Sequence, residues 1–434
     1  MSYQDTAAQM LRFIEESPTS YQVIANLKQM LENEGYREWK EEETWEVIGE
    51  KFYVVRNDSS LIALQFPKAV SGMPGPKGFH VIASHSDSPS FKIKANPQIS
   101  AEGGYVKLNT EKYGGMILST WLDRPLSVAG RVALQTDTGI RTQPVDLKED
   151  LCVIPNLAIH MNREINKGME YNPQVDMLPL FGMGEMSKEA FLEKVAGAAG
   201  VKAEEILDYD LFLYLREKGR FIGAGQEFVL SPRLDDLQCV YASMKAFLAV
   251  QPEEYINVCA VFDNEEVGSG TRQGADSTFL RDTLLRCSEA LKYSNGEFCR
   301  LVAGSFLISA DNAHAVHPNH PEKADPVNRP RINGGIVIKY HGCQKYTSDA
   351  FSAGKMKSIC LKAGVPFQSY TNRSDVAGGS TLGNISTAHV SVPSVDIGLP
   401  QLAMHSPYET AGTKDTGYFC EVAKEFFSSS VEMK

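Results

Sequence analysis

The sequence predicts an α/β protein, a mostly parallel sheet flanked by helices, interrupted by an inserted β-rich segment. Three observations carry that expectation. Apolar runs alternate with helical stripes over residues 231–434, the texture of a sheet whose crossovers are helices. Residues 94–230 show short alternating segments and turn residues instead, and residues 1–93 have the strand-and-helix texture again. The expected division is therefore one α/β unit built from 1–93 and 231–434, split by 94–230.

Taken in order, Ser17-Pro18-Thr19-Ser20 precedes Val23, Ile24, Leu27, Met30 and Leu31, a one-sided stripe closed by Gly35, so a capped amphipathic helix is expected. Runs 46–55 and 61–66 are β-rich. A stretch with Pro and Gly, 71–78, then leads into the apolar run 79–84, read as a buried strand. In the insert, strands are expected within 105–108, 117–122, 126–134, 212–215, 221–222 and 227–229, around a Met/Gly/Ala-rich helical section at 186–198. After Ser231 come a helical stripe (Leu237, Val240, Tyr241, Met244, Phe247, Leu248), a strand at 255–262 and a helix at 278–292. Strands at 305–310 and 335–340 and a helix at 349–363 complete the pattern.

At 434 residues the chain is long enough for two or three domains at roughly 150 residues each. No apolar run approaches the roughly 18 residues of a membrane span, and residues 1–17 lack a basic stretch followed by an apolar one, so a cytoplasmic protein without membrane partners is expected. Eight cysteines without a CxxC read as free thiols in a reducing compartment. A net charge of −11 with no basic block argues against a nucleic-acid partner.

Five segments place His or carboxylate side chains just beyond an apolar run or at a turn, where open α/β sheets carry their ligands. They are His85-Ser86-Asp87; Arg233-Leu234-Asp235-Asp236, where one aspartate suits a helix cap and the other a metal; Asp263-Asn264-Glu265-Glu266-Val267-Gly268; Ser309-Ala310-Asp311-Asn312-Ala313-His314; and Met404-His405-Ser406. His317 and His320 extend the fourth. Three carboxylates in four residues after a buried strand are costly without a cation, and adjacent glutamates supply a metal ligand and a base. Together these residues suit two metals bridged by a carboxylate. No nucleophile elbow, P-loop, strand-borne GxGxxG or HExxH is present.

In this order the residues resemble the M18 family of metallo-aminopeptidases, which includes the aspartyl aminopeptidases. Further matching segments are Trp121-Leu122-Asp123-Arg124-Pro125-Leu126, Asn156-Leu157-Ala158-Ile159-His160 and Ala313-His314-Ala315-Val316-His317-Pro318-Asn319. The resemblance implies a zinc exopeptidase-like catalytic domain with an inserted dimerisation domain. It implies two Zn2+ per subunit, with Mn2+ or Co2+ as substitutes: His85 and Asp311 on one, Glu266 and His405 on the other, Asp235 between them. Glu265 would be the general base, and Asp87 joins it in the catalytic set by holding His85. His160, His314, Lys339 and Tyr346 would contact substrate, His160 in a neighbouring subunit. The substrates implied are peptides whose free N-terminal residue is Asp or Glu, and the assembly a tetrahedral dodecamer of dimers. One departure bears on specificity: Tyr408 stands where eukaryotic relatives carry an arginine. Alternatives on the same residues are a neutral or broad preference, an amide deacylase or carboxypeptidase, and a non-catalytic assembly protein.

Overall fold

The computed structural model describes residues 2–46, 49–68, 75–379 and 381–429. Positions 47–48 of the β-rich run and 71–74 of the Pro/Gly stretch lie outside the described residues. A nine-stranded sheet runs in the order Arg37–Glu38, Lys51–Arg56, Ser60–Gln65, Ile256–Phe262, Phe79–His85, Phe306–Ala310, Ser394–Gly398, Ile336–Lys339 and Phe367–Tyr370. Its four central strands, from Ile256–Phe262 to Ser394–Gly398, are mutually parallel.

These central strands are continuous apolar runs because both faces are covered. Val81 and Ala83 point into one core and Ile82 into the other; Val258 and Ala260 likewise oppose Cys259 and Val261. Helices Tyr3–Glu15, Ser20–Asn33, Leu234–Leu248, Ala350–Ala363 and Asp415–Ser428 cover one face, and Phe279–Ala290, Asn295–Ala303 and Leu382–His389 the other. The α/β class with a mostly parallel sheet is thus the observed one. Among the described residues, no helix is long and apolar enough to cross a membrane.

Between the two halves of this sheet's sequence lies a six-stranded antiparallel sheet in the order Gly139–Asp146, Leu126–Thr136, Ile206–Leu215, Ser90–Ala101, Tyr105–Tyr113, Leu180–Met183. It has its own core, into which Phe191, Val195 and Ala196 of helix Ala190–Ala199 are packed. Residues 118–121, expected to be extended, form a single 3-10 turn instead. The reason is Trp121, which dips into that core edge-on to Phe91 while Ile117 stays exposed.

Two features differ from the sequence expectation by addition. Helix Tyr3–Glu15 carries a legible signal, the reciprocal Ser2–Asp5 capping box followed by Ala7, Met10, Leu11 and Ile14 on one face. A third sheet joins Arg220–Ile222, Phe228–Ser231, Glu409–Gly412, Pro400–Leu402 and Ala313–His314; the first two were expected as strands of the insert, but they pair with the C-terminal part of the chain, and the other three, of two to four residues, are too short for periodicity to show.

His80 gives the fold an acid limit. It is fully buried between the rings of Tyr255 at 3.9 Å and Phe426 at 4.6 Å, and burial pushes its imidazole down to about 3 from 6.5. Between those two values the unfolded chain binds a proton that the folded chain refuses, so stability is intact above about pH 6.5 and is lost as pH falls toward 3. His80→Phe is expected to flatten that part of a plot of melting temperature against pH. An unchanged acid slope in a folded His80→Phe would show that other groups set the limit.

Candidate metal centre

Three neighbouring central strands deliver their carboxyl ends to one place. His85 closes Phe79–His85, Asp311 follows Phe306–Ala310, and the Asp263–Glu266 cluster follows Ile256–Phe262. Asp235 enters from the start of helix Leu234–Leu248, and His405 from the turn after Pro400–Leu402. The turn Glu265–Val267 is framed by Asn264 and Gly268, both in the left-handed region that Asn and Gly tolerate best, and this turns two successive glutamates inward.

Asp235 lies at the middle of the arrangement. Its Oδ1 is 3.5 Å from His85 Nε2, which is also 3.7 Å from Asp311 Oδ1. Its Oδ2 is 3.4 Å from His405 Nε2, which is also 3.4 Å from Glu266 Oε2. The side chains thus form two groups sharing Asp235: His85, Asp235 and Asp311, and Asp235, Glu266 and His405. Glu265 joins His85 and Glu266 in a third close group.

The backs of both imidazoles are anchored. His85 Nδ1 faces the Asp87 carbonyl oxygen at 3.1 Å, and His405 Nδ1 faces the Gly115 carbonyl oxygen at 2.6 Å, so each Nε2 is turned toward the centre. The carboxylate of Asp87 accepts from the main-chain N–H groups of Glu265 and Glu266, at 3.1 and 3.2 Å, and from Tyr113 Oη at 2.7 Å. Asp87 therefore holds the glutamate turn as well as the His85 ring, and acts through both. Tyr113 and Gly115 belong to the inserted sheet and the loop beyond it, so the insert braces the centre directly. Gly114, with φ 78°, passes so close that a Cβ there would lie 3.1 Å from the Glu266 Cβ.

The donor set fits zinc. Separations of 3.4–3.7 Å are long for charged hydrogen bonds, but they match two donors on one tetrahedral cation, roughly 3.4 Å apart for bonds of about 2.1 Å. Glu266 Oε1 is buried with no hydrogen-bond donor. Burial, with the neighbouring carboxylates adding to it, lifts the Glu265 carboxyl to about 7 and that of Glu266 well above its ordinary range. Burial opposes the charge of His405 too, but Asp235 and Glu266 outweigh it and hold the ring at about 10. So much buried negative charge beside two imidazoles is what a pair of dications would balance.

The remaining candidates are distributed unevenly. Lys339 is buried, with Nζ 3.2 Å from Asp311 Oδ2 and 5.6 Å from the centre of the Tyr346 ring, so its charge already has a partner. Tyr346 is buried beside it. His314 lies at the rim, open to solvent yet closely surrounded by protein, and that burial and the Lys339 charge hold its imidazole below the usual value against the pull of Asp235 and Asp311. His317 and His320 pack ring to ring at 5.3 Å in an exposed turn outside the ligand groups. His160 sits in an exposed loop of the insert with no described contact to the centre of its own chain. The residues that sequence reasoning missed are Tyr113, Gly115 and Glu409, whose roles rest on contacts far along the chain; only the four-residue spacing of Glu409 from His405 was a hint.

The family model described as aminopeptidase I zinc metalloprotease (M18) matches residues 13–427. The chain belongs to the M18 family. It is a zinc-dependent metallo-aminopeptidase, an exopeptidase hydrolase, as the ordered motifs had indicated. The probable M18 family aminopeptidase 2 of Clostridium acetobutylicum is 47% identical over 428 residues, covering 97% of this chain and 98% of its own. Its counterpart in Pseudomonas aeruginosa is 39% identical over 428 residues, covering 97% of both chains. Among solved structures, a chain of the cryo-EM structure of the Ape4 and Nbr1 complex matches with TM-score 0.93 at 34% identity, over 98% of this chain and 86% of that one. The S. cerevisiae mApe1 dodecamer matches with TM-score 0.85 at 27% identity, over 98% and 97%.

Proposed function

We propose that this M18 enzyme is a dinuclear aminopeptidase that removes an N-terminal Asp or Glu from peptides, with Glu265 as general base. The observation that carries the two-metal reading is Asp235, with one oxygen toward His85 and the other toward His405. His85 and Asp311 would hold one ion and Glu266 and His405 the other, with Asp235 available to both; Zn2+ is the expected metal, and Mn2+ or Co2+ accept the same donors. When bound, the two ions supply Lewis acidity that makes water nucleophilic and polarises the scissile carbonyl. Glu265 takes the proton from the attacking water and returns it to the leaving amine, a role that its place in one close group with His85 and Glu266 supports. Asp87 keeps Glu265 in place through the main chain, and His314 at the rim contacts the substrate.

Lys339 supports the acidic preference, being a buried cation beside the centre, with Tyr346 against it. The same residue favours a second reading, neutral or broad preference, because Asp311 already engages its ammonium and because Tyr408 replaces the arginine of eukaryotic relatives. Residues 94–230 act as the dimerisation domain. Leu157, Ile159, Met161, Val175 and Met183, all in that segment, are between 46% and 77% exposed, an apolar surface suited to a second copy. His160 lies among them and reaches the centre of a neighbouring subunit, and dimers assemble into a tetrahedral dodecamer in the cytoplasm, admitting peptides to enclosed sites.

The test is a rate comparison on p-nitroanilides of Asp, Glu, Leu, Lys and Ala, each with free and acetylated N-termini, with metal content measured on the same sample. Fast cleavage of free Asp or Glu with about two metals per chain is the expected result. Preference for Leu or Ala keeps the aminopeptidase and discards the acidic specificity. Cleavage that survives acetylation would sink the free-amine requirement.

A further inference from the structure

We propose that Glu409 is a positioning residue of the metal centre, one buried carboxylate that ties the main chain at Asp235 to the main chain at His405. The inference rests on reading those two residues as ligands. Glu409 Oε1 accepts from the His405 N–H at 2.8 Å, and Oε2 accepts from the Asp235 N–H at 3.1 Å. In front of that strap, His405 Nε2 and Asp235 Oδ2 face each other at 3.4 Å, so a ring of contacts closes through both residues.

The third sheet puts Glu409 there. Its strand Glu409–Gly412 pairs with Phe228–Ser231, with Glu409 opposite Ser231, and the chain then passes through Pro232, Arg233 and Leu234 to Asp235. Strand register therefore places the carboxylate behind the first residues of the helix that carries the shared ligand. On the other side, the turn at Ala403 and His405 needs holding, since both adopt φ in the left-handed region, at 56° and 67°, where non-glycine residues are strained. A carboxylate that accepts the His405 N–H keeps this turn from relaxing and swinging the imidazole away.

The strap continues to the other half of the centre. Gln401 Nε2 donates to Glu409 Oε1 at 3.4 Å, and Asn312 Nδ2 donates to Gln401 Oε1 at 2.6 Å. Asn312 follows Asp311 directly, and it also donates to Gln238 on the Asp235 helix at 3.2 Å. All four side chains are buried. Outer partners of this kind fix ligand orientation and change metal affinity and activity by roughly 10- to 100-fold when removed.

The experiment titrates Zn2+ calorimetrically into the metal-free forms of the wild type, Glu409→Gln and Glu409→Asp, with kcat, KM and the melting temperature of the metal-free proteins measured alongside. Gln presents its amide NH2, a donor, to one of the two N–H groups, and Asp keeps the carboxyl group but is too short to span both. Both variants are therefore expected to lose about 10- to 100-fold in one of two zinc-binding steps and in kcat, with KM moved less than about threefold and the metal-free melting temperature nearly unchanged. Wild-type zinc affinities in whichever variant folds would overturn the proposal. So would full rescue by Asp, which would reduce Glu409 to a charge. A wild-type titration that saturates at one zinc per chain would remove the two-metal reading, a result separable from failure of the strap.

Discussion

Glu265→Gln is expected to lower kcat by on the order of 100- to 10,000-fold while the zinc content stays at the wild-type level. The substitution keeps the size of the side chain and leaves the turn intact, because Asp87 binds the main-chain N–H groups of residues 265 and 266, not their side chains. What is lost is the capacity to take a proton. Glu266→Ala is the contrasting case: its Oε2 faces His405 Nε2 at 3.4 Å, so its removal is expected to take metal and activity away together. Metal analysis and single-turnover rates on both variants check the pair. Near-normal turnover in Glu265→Gln would withdraw the assignment of the base, and full zinc in Glu266→Ala would withdraw that of the ligand.

Mixing two inactive variants is expected to restore activity. If His160 serves the neighbouring subunit, a dimer of one His160→Ala chain and one Glu265→Gln chain has a complete site: the Glu265 of the first chain with the His160 of the second. Random reassembly makes half of the dimers mixed, each with one complete site of two, so about a quarter of the wild-type activity per chain should return. The exposed position of His160, amid Leu157, Ile159 and Met161, suits this role and offers its own centre nothing. No recovery from verified mixed dimers would confine His160 to its own chain.

Much of the fold was legible because its signals are local. The central strands are unbroken apolar runs, which follows from burial on two faces, and the helix stripes recur at helical spacing. The candidate ligands were legible for a related reason: His85, Glu266 and Asp311 stand at or just beyond the ends of those runs, where an α/β sheet opens, while Asp235 and His405 showed by residue type at a helix start and a turn. His85, Asp235, Glu266, Asp311 and His405 converge in two groups that share Asp235, the division that the family resemblance had implied. Elements without periodicity were not legible. In the third sheet the strands at 313–314, 400–402 and 409–412 showed no pattern and the sheet partners of the two expected ones did not either, and Trp121 drew an apparent strand into a turn because its ring had to reach a core whose other members lie elsewhere in the chain.

By itself, then, the sequence determined the fold class, the family and the stock of metal-binding side chains, since each depends on residue type and spacing along the chain. Only the tertiary structure decided how they are used. It turned one oxygen of Asp235 to each histidine, committed Lys339 to Asp311, set Gly115 behind His405, and put Glu409 beneath two main-chain N–H groups. The partners in these contacts include pairs 174 and 290 residues apart. Their geometry follows from strand register and from the packing of the insert against the catalytic sheet, and no local pattern of residues encodes either.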